Sequence, residues 1–324
     1  MVAAQTPEKL ERFLHSCRAR MNQNTSRRTR NRHMARAVGP HGRRGITIAL
    51  MTETVLLALD TSTEYCSVAL LRVAPGGADR SPSTSGETAS GSLSEVSVWV
   101  RHEATGAVSS TRLLPAIGEL FDEAGLTLAD CDAIAFGAGP GSFTGLRTAT
   151  GVAQGLAFGL DIPVVAVGTL LVCAESARLR DPAVTRVLAA LDARMDEAYW
   201  ADFEWDAAAG DWRTLQAASL DSPEHIAAPD APFTLAGNAA AAFGARLTAA
   251  AAARTIDAEA LPHALPLAHA ALRAYRAGRT QPADQAAPEY VRNKVAQTTA
   301  ERLAAKAAAQ RVAGAAGEGG EGAK

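Results

Sequence analysis

The chain has 324 residues, of which 48% are hydrophobic and 20% charged, with four cysteines and a net charge of −2. That length suffices for two lobes, each able to bury a core of its own, and the composition fits an ordered globular protein. No apolar run approaches the ~18 residues that a bilayer span requires, and Cys17, Cys66, Cys131 and Cys173 lie too far apart for a C-x-x-C zinc site or a disulfide framework, so a soluble, cytoplasmic protein is expected.

Residues 1–50 hold eleven Lys and Arg against two acids, a charge of +9, which leaves −11 on the remaining 274 to reach the net −2. The segment has no apolar periodicity and is expected to be a disordered basic extension. It reads either as an arm for nucleic acid or a transit peptide, or as a gene-model artefact ahead of a true start at Met51. The acidic remainder counts against a nucleic-acid-binding surface on the body itself.

The spacing then predicts a strand at Val55–Asp60, a turn at Thr61, Ser62 and Thr63, and a second strand at Cys66–Val73. The Gly/Ser/Pro-rich stretch 74–94 reads as a mobile hairpin loop. A third strand at Glu95–His102 leads to a helix at Thr111–Ala124, along which Leu113, Leu114, Ile117 and Phe121 recur at helical spacing before the stop at Gly125. That is more apolar side chain than one inward face needs, so part of it is expected to lie exposed as a contact patch.

A short apolar strand, Ala133–Phe136, next runs into Gly137, Gly139, Pro140 and Gly141, and Ser142 is a good N-cap for a helix ending near Gly159. Strand, glycine turn and helix N-terminus together aim backbone N–H groups at an anion. Each common version fails on a residue. A P-loop would end in Gly-Lys-Ser/Thr where Gly145, Leu146 and Arg147 stand; a dinucleotide loop needs glycine at Thr144; a nucleophile elbow on Ser142 needs glycine at Pro140 and Thr144. Along the helix, Gly151, Gly155 and Gly159 alternate with Ala149, Ala153 and Ala157. Glycine lowers helix stability by about 1 kcal/mol per site relative to alanine, so the stripe implies a close neighbour, either the protein's own sheet or a partner helix. Ile162–Gly168 reads as a buried strand feeding another helix.

The second half repeats the first. Val55–Ala69 aligns with Val187–Ala201 at a constant offset of 132, pairing Asp60 with Asp192, and Phe233–Asn238, with Gly237, is the counterpart of the glycine turn. Asp60 and Asp192 could hold magnesium through water or cap backbone N–H groups of a tight turn; the expectation is the structural role. Residues 204–230 carry no usable motif, and an Ala/Gly-rich tail begins at Glu301.

The stretches Leu57–Thr63, Gly139–Arg147, Leu191–Trp200 and Pro288–Ala296, in this order, resemble the TsaB (formerly YeaZ) family, whose members help make threonylcarbamoyladenosine in tRNA. The resemblance runs from about Met51 to Ala296. It implies an α/β fold of two duplicated ribonuclease-H-like lobes, of the actin-like ATPase, sugar kinase and Hsp70 (ASKHA) superfamily. The implied organisation is a first lobe at 51–170, a second at 171–300 and a tail at 301–324. In working enzymes of that superfamily glycine follows the Asp turn, where Thr61-Ser62 and Ala193-Arg194 stand here, and a Gly-Gly adenosine loop replaces Gly237-Asn238. Asp60, Thr61, Gly139, Pro140, Gly141, Ser142, Asp192 and Gly237 are thereby expected to be vestigial nucleotide-type loops.

The catalytic relative TsaD carries an H-x-x-x-H metal pair on its first helix, whereas Val108–Pro115 contains no histidine and none occurs between His102 and His225. His102, His263 and His269 read as surface or capping residues. The resemblance therefore implies a non-catalytic subunit with no catalytic residue, no metal and no cofactor of its own, ATP and Mg binding only within a complex. TsaD is the implied direct partner, through Leu113, Leu114, Ile117, Phe121, Gly151 and Gly155. TsaE joins in the complex, tRNA is reached indirectly, and the chain alone is expected to be a homodimer away from membranes. The competing reading is a stand-alone ATP-dependent or metallopeptidase-like enzyme.

Overall fold

The computed structural model describes residues 53–74 and 96–292. The expected arm at 1–50, the loop 74–94 apart from Ala74, and the tail at 301–324 lie outside the described residues. Tyr290–Lys324 is a unit separate from the rest and is described only at Tyr290, Val291 and Arg292.

Three antiparallel strands, β1 (Thr54–Asp60), β2 (Tyr65–Val73) and β3 (Val96–Ala104), open the chain. Helix α1 (Ser109–Ala124) follows and ends on Gly125, whose φ of 65° is the left-handed C-cap that glycine accepts most readily. Strand β4 (Ala133–Gly139) feeds helix α2 (Phe143–Leu160), and β5 (Val164–Gly168) feeds α3 (Thr169–Arg180). Strand β4 runs further than the apolar stretch suggests, because the backbones of Gly137 and Gly139 still pair with Val167 and Gly168 of β5 across a bulge. The first sheet has the order β3-β2-β1-β4-β5, with β4 and β5 parallel to β1.

The second half rebuilds that sheet. Strands β6 (Arg186–Asp192), β7 (Ala198–Asp206) and β8 (Asp211–Asp221) are antiparallel, and β9 (Thr234–Ala236) and β10 (Thr255–Asp257) are parallel to β6. The order is β8-β7-β6-β9-β10, the first sheet over again. Strand β6 begins and ends 132 residues after β1, the offset at which the sequence repeats. This is the duplicated ribonuclease-H-like architecture. Two short helices, α4 (Ala239–Phe243) and α5 (Ala249–Ala252), stand where α2 stands in the first half, and α6 (Ala264–Arg276) is the equivalent of α3.

Alternation along the strands decides what covers each face. Val55, Leu57 and Leu59 of β1 point into a core shared with Leu113, Ile117, Leu120 and Phe121 of α1 and Ala149, Ala153 and Ala157 of α2. Leu56 and Ala58 point the other way, against Leu267, Ala268 and Ala271 of α6 and Val172 of α3. In the second sheet Val187, Ala189 and Leu191 pack on Leu170, Cys173, Ala174 and Ala177 of α3, while Leu188 and Ala190 meet Ala239 and Ala249. Helices α3 and α6 thus lie between the two sheets. A division at 170/171 falls inside α3, and α6, from the second half, completes the core of the first sheet.

Candidate functional site

The ends of β1 and β4 bring the Asp turn and the glycine turn together. Asp60, 1% exposed, accepts through Oδ1 from the Ser62 N–H at 3.0 Å and the Ser62 hydroxyl at 2.8 Å. Its Oδ2 is buried with no hydrogen-bond partner. Removal from water therefore dominates, and burial pushes the carboxyl from 3.8 up to about 6, against the lowering effect of the two Ser62 bonds.

The glycine turn closes over this carboxyl. A Cβ at Gly137 would stand 2.1 Å from Asp60 Oδ2, and one at Gly145 would stand 1.7 Å from the Thr61 carbonyl oxygen. Only glycine permits either approach. Two bonds fasten the two turns to each other, and two more brace the glycine turn. The Thr61 hydroxyl donates to the Gly145 carbonyl at 2.7 Å, and the Ser142 N–H donates to the Ser62 carbonyl at 2.7 Å. Thr169 Oγ1 donates to the Pro140 carbonyl, and the Ser142 hydroxyl caps α2 by accepting from the Gly145 N–H at 3.3 Å. Gly141 sits against Ser62, and the Gly139–Pro140 bond is cis. The glycine turn therefore packs directly on Asp60, Thr61 and Ser62, with no room for a side chain at Gly137, Gly141 or Gly145.

The second lobe carries the matching turn in a more open form. Asp192 Oδ1 accepts from the Arg194 N–H at 2.8 Å, and its own N–H donates to Asn238 Oδ1 at 2.9 Å. The Arg194 guanidinium stands 3.5 Å from Asp192 Oδ2. Gly237 matches Gly139, with φ of 106° against 126°. Each of the two carboxylates accepts the backbone N–H two residues further on within its turn. Asp60 is sealed beneath Gly137, Asp192 is engaged by Arg194, and no group of three or more His, Cys, Asp or Glu that could hold a metal exists among the described residues.

The expected contact patch needs correction. Leu113 and Ile117 are 0% exposed and Phe121 4%, all inside the first core, with Leu114 half-buried against it. The extra apolar side chains of α1 are consumed by β2 and β3 as well as α2, so no apolar surplus of α1 faces outward. The glycine stripe behaves oppositely. A Cβ at Gly151, Gly155 or Gly159 would meet nothing within 4 Å, and all three are exposed. It is the alanine stripe that packs on the sheet. The ridge along the glycines also carries Phe143, Arg147 and Phe158, with the Arg147 guanidinium 3.8 Å over the Phe143 ring and Phe158 75% exposed.

Of the three histidines expected at the surface or as caps, His102 is exposed and His263 stands at a helix N-cap position, whereas His269 is buried. His102 and His263 are not isolated, their ring centroids lying 5.3 Å apart with Tyr65 stacked on His102 at 4.4 Å. His263 occupies the N-cap position of α6 without a capping side-chain bond, and burial, with His102 adjacent, lowers it to about 4. His269 is buried, at 4% exposed. Sequence reasoning missed a further cluster entirely, in which Glu175 of α3 binds Arg273 of α6 and Trp212 of β8. Its only signal was a single acid in the otherwise uncharged run from Thr169 to Ala177.

Residues 103–310 match the model of a family described as "TsaD: tRNA N6-adenosine threonylcarbamoyltransferase". The tRNA threonylcarbamoyladenosine biosynthesis protein TsaB of Escherichia coli K12 is 37% identical over 171 residues, 53% of this chain and 64% of that protein. The protein of the same name from Haemophilus influenzae is 38% identical over 180 residues, 54% of this chain and 66% of that protein. The match therefore spans just under two thirds of each of these curated relatives. YeaZ from Pseudomonas aeruginosa superposes with a TM-score of 0.62 at 39% identity, covering 73% of this chain and 99% of that one.

Proposed function

We propose that this chain, which belongs to the TsaB (YeaZ) family, is a non-catalytic partner subunit in the synthesis of tRNA N6-threonylcarbamoyladenosine. In this reading it pairs with TsaD, alongside TsaE, to modify the adenosine 3′ of the anticodon in ANN-decoding tRNAs. What supports the non-catalytic part is the close packing of the glycine turn on Asp60-Thr61-Ser62, where the glycines present no side chain that could reach a nucleotide. ATP and Mg are then bound only in the complex, and tRNA is reached through the partner, in keeping with the acidic body.

Partner contact is assigned to the exposed face of α2, through Gly151, Gly155 and the flanking Phe143 and Phe158. Bare glycine lets a partner backbone come close, and exposed aromatic rings give it apolar area. A homodimer of the free chain would use the same face. No helix among the described residues is long and apolar enough to cross a membrane, and the proposed setting is the cytoplasm.

The test is purified protein assayed for ATP hydrolysis and for threonylcarbamoyl transfer to tRNA, alone and with TsaD and TsaE. The expected result is background activity alone and a strong increase in transfer when it joins the partners. Turnover by the chain alone that disappears in Asp60→Ala would establish the stand-alone enzyme instead.

A further inference from the structure

Glu175 lies on α3 within the core of the second sheet, yet its side chain is only 3% exposed and fully engaged. Oε1 accepts from one terminal nitrogen of Arg273 at 2.9 Å and Oε2 from the other at 2.5 Å, while Trp212 Nε1 donates to Oε2 at 2.7 Å. Arg273 belongs to α6, the helix that covers the first sheet. Its Nε donates in turn to Asp211 at the start of β8, at 3.1 Å, and Arg279 donates to the same carboxylate. Trp205 of β7 lies beneath two guanidinium groups, Arg178 at 4.0 Å and Arg273 at 5.3 Å, and meets Trp212 edge-on at 5.4 Å.

One guanidinium therefore reaches from the first sheet's covering helix to Glu175 on α3, which packs on both sheets, and to Asp211 on a strand of the second sheet. We infer that the Glu175–Arg273–Trp212 cluster is an interlobe lock that holds the two sheets in one fixed relation, so that the two lobes move together and do not shear past one another. A buried bidentate pair has one good geometry, because any relative shift of α3 and α6 strands both charges away from water. A two-lobed fold joined by packed helices is otherwise built to shear or hinge. The inference is independent of which partner the chain binds.

The test measures interlobe distance directly. Nitroxide labels at Ser110→Cys on α1 and Leu215→Cys on β8, both exposed, would be read by double electron–electron resonance in the full chain. Cys66, Cys131 and Cys173 are buried, and Cys17 is replaced by serine. The parent should give one narrow distance distribution, and Glu175→Gln a broadened one. Amide exchange in α6 and β8 should rise at least about tenfold while α1 and α2 keep the parent rates, since opening is local to the lock. A broad distribution in the parent, or an unchanged one in Glu175→Gln, overturns the lock. So does exchange that rises equally in every element, which would mean a general loss of stability. If Glu175→Gln does not fold, Trp212→Phe keeps the ring packing and removes one bond, and it should still broaden the distribution; an unaltered width there also overturns the inference.

Discussion

Asp60 is a carboxyl whose second oxygen has been taken from water with nothing to replace it. Its folded value of about 6 lies above its ordinary 3.8, so this group favours the folded state least when ionised. The penalty is absent below about pH 3.8, grows as pH rises, and is complete above about 6. With 1.36 kcal/mol per unit, the swing is about 2 kcal/mol between pH 4 and pH 8. Asp60→Asn keeps the acceptor for Ser62 and removes the charge. Its effect on stability at pH 8 should therefore be about 2 kcal/mol more favourable than its effect at pH 4, read from urea unfolding at both values. A pH-independent difference would mean that the carboxyl is not held up by burial. His263 has the opposite sign. Its folded value of about 4 lies below the ordinary 6.5, so its contribution is present above about pH 6.5 and lost as pH falls through 4.

The strand, Asp turn and strand were legible at the level of single elements, because the unit recurs at a fixed offset. The direction of the glycine stripe was not legible. Ala149 and Gly151 are two residues apart, which is about 200° around a helix of 3.6 residues per turn. The two small-residue rows therefore lie on opposite faces, and only packing decides which one meets the sheet. The same limit hid the destination of α6, since periodicity shows that a helix has an apolar face but not which sheet receives it. Because the glycine row is open, substitution there separates helix stability from partner contact. Gly155→Ala should stabilise the free chain by about 0.5–1 kcal/mol. Gly155→Leu should fold normally by circular dichroism yet fail in a TsaD pull-down and run as a monomer by size exclusion. A folded Gly155→Leu that still dimerises and still captures TsaD would move the interface off this face.

At the scale of the molecule, the halves are repeated in sequence but not separable in structure. Leu56, Ala58, Leu71 and Val165 of the first sheet are covered by α6, which comes from the second half. A fragment of residues 51–170 should therefore lack a cooperative thermal transition and bind hydrophobic dye, although it contains every strand of its sheet. A sharp melt of that fragment would show that α6 is dispensable to the first core. Glu175 was unreadable for a related reason, because its partners lie 37 and 98 positions away in stretches without a motif. The position of α6 also sets a schedule for synthesis. The first sheet is complete in sequence at Gly168, but the helix that covers its second face begins at Ala264. At about 5–20 residues per second the ribosome needs roughly 5–20 s to deliver it. Throughout that interval the nascent chain's first sheet lacks the helix that covers most of its second apolar face in the finished fold, and transiently exposed apolar surface of this kind is what chaperones bind.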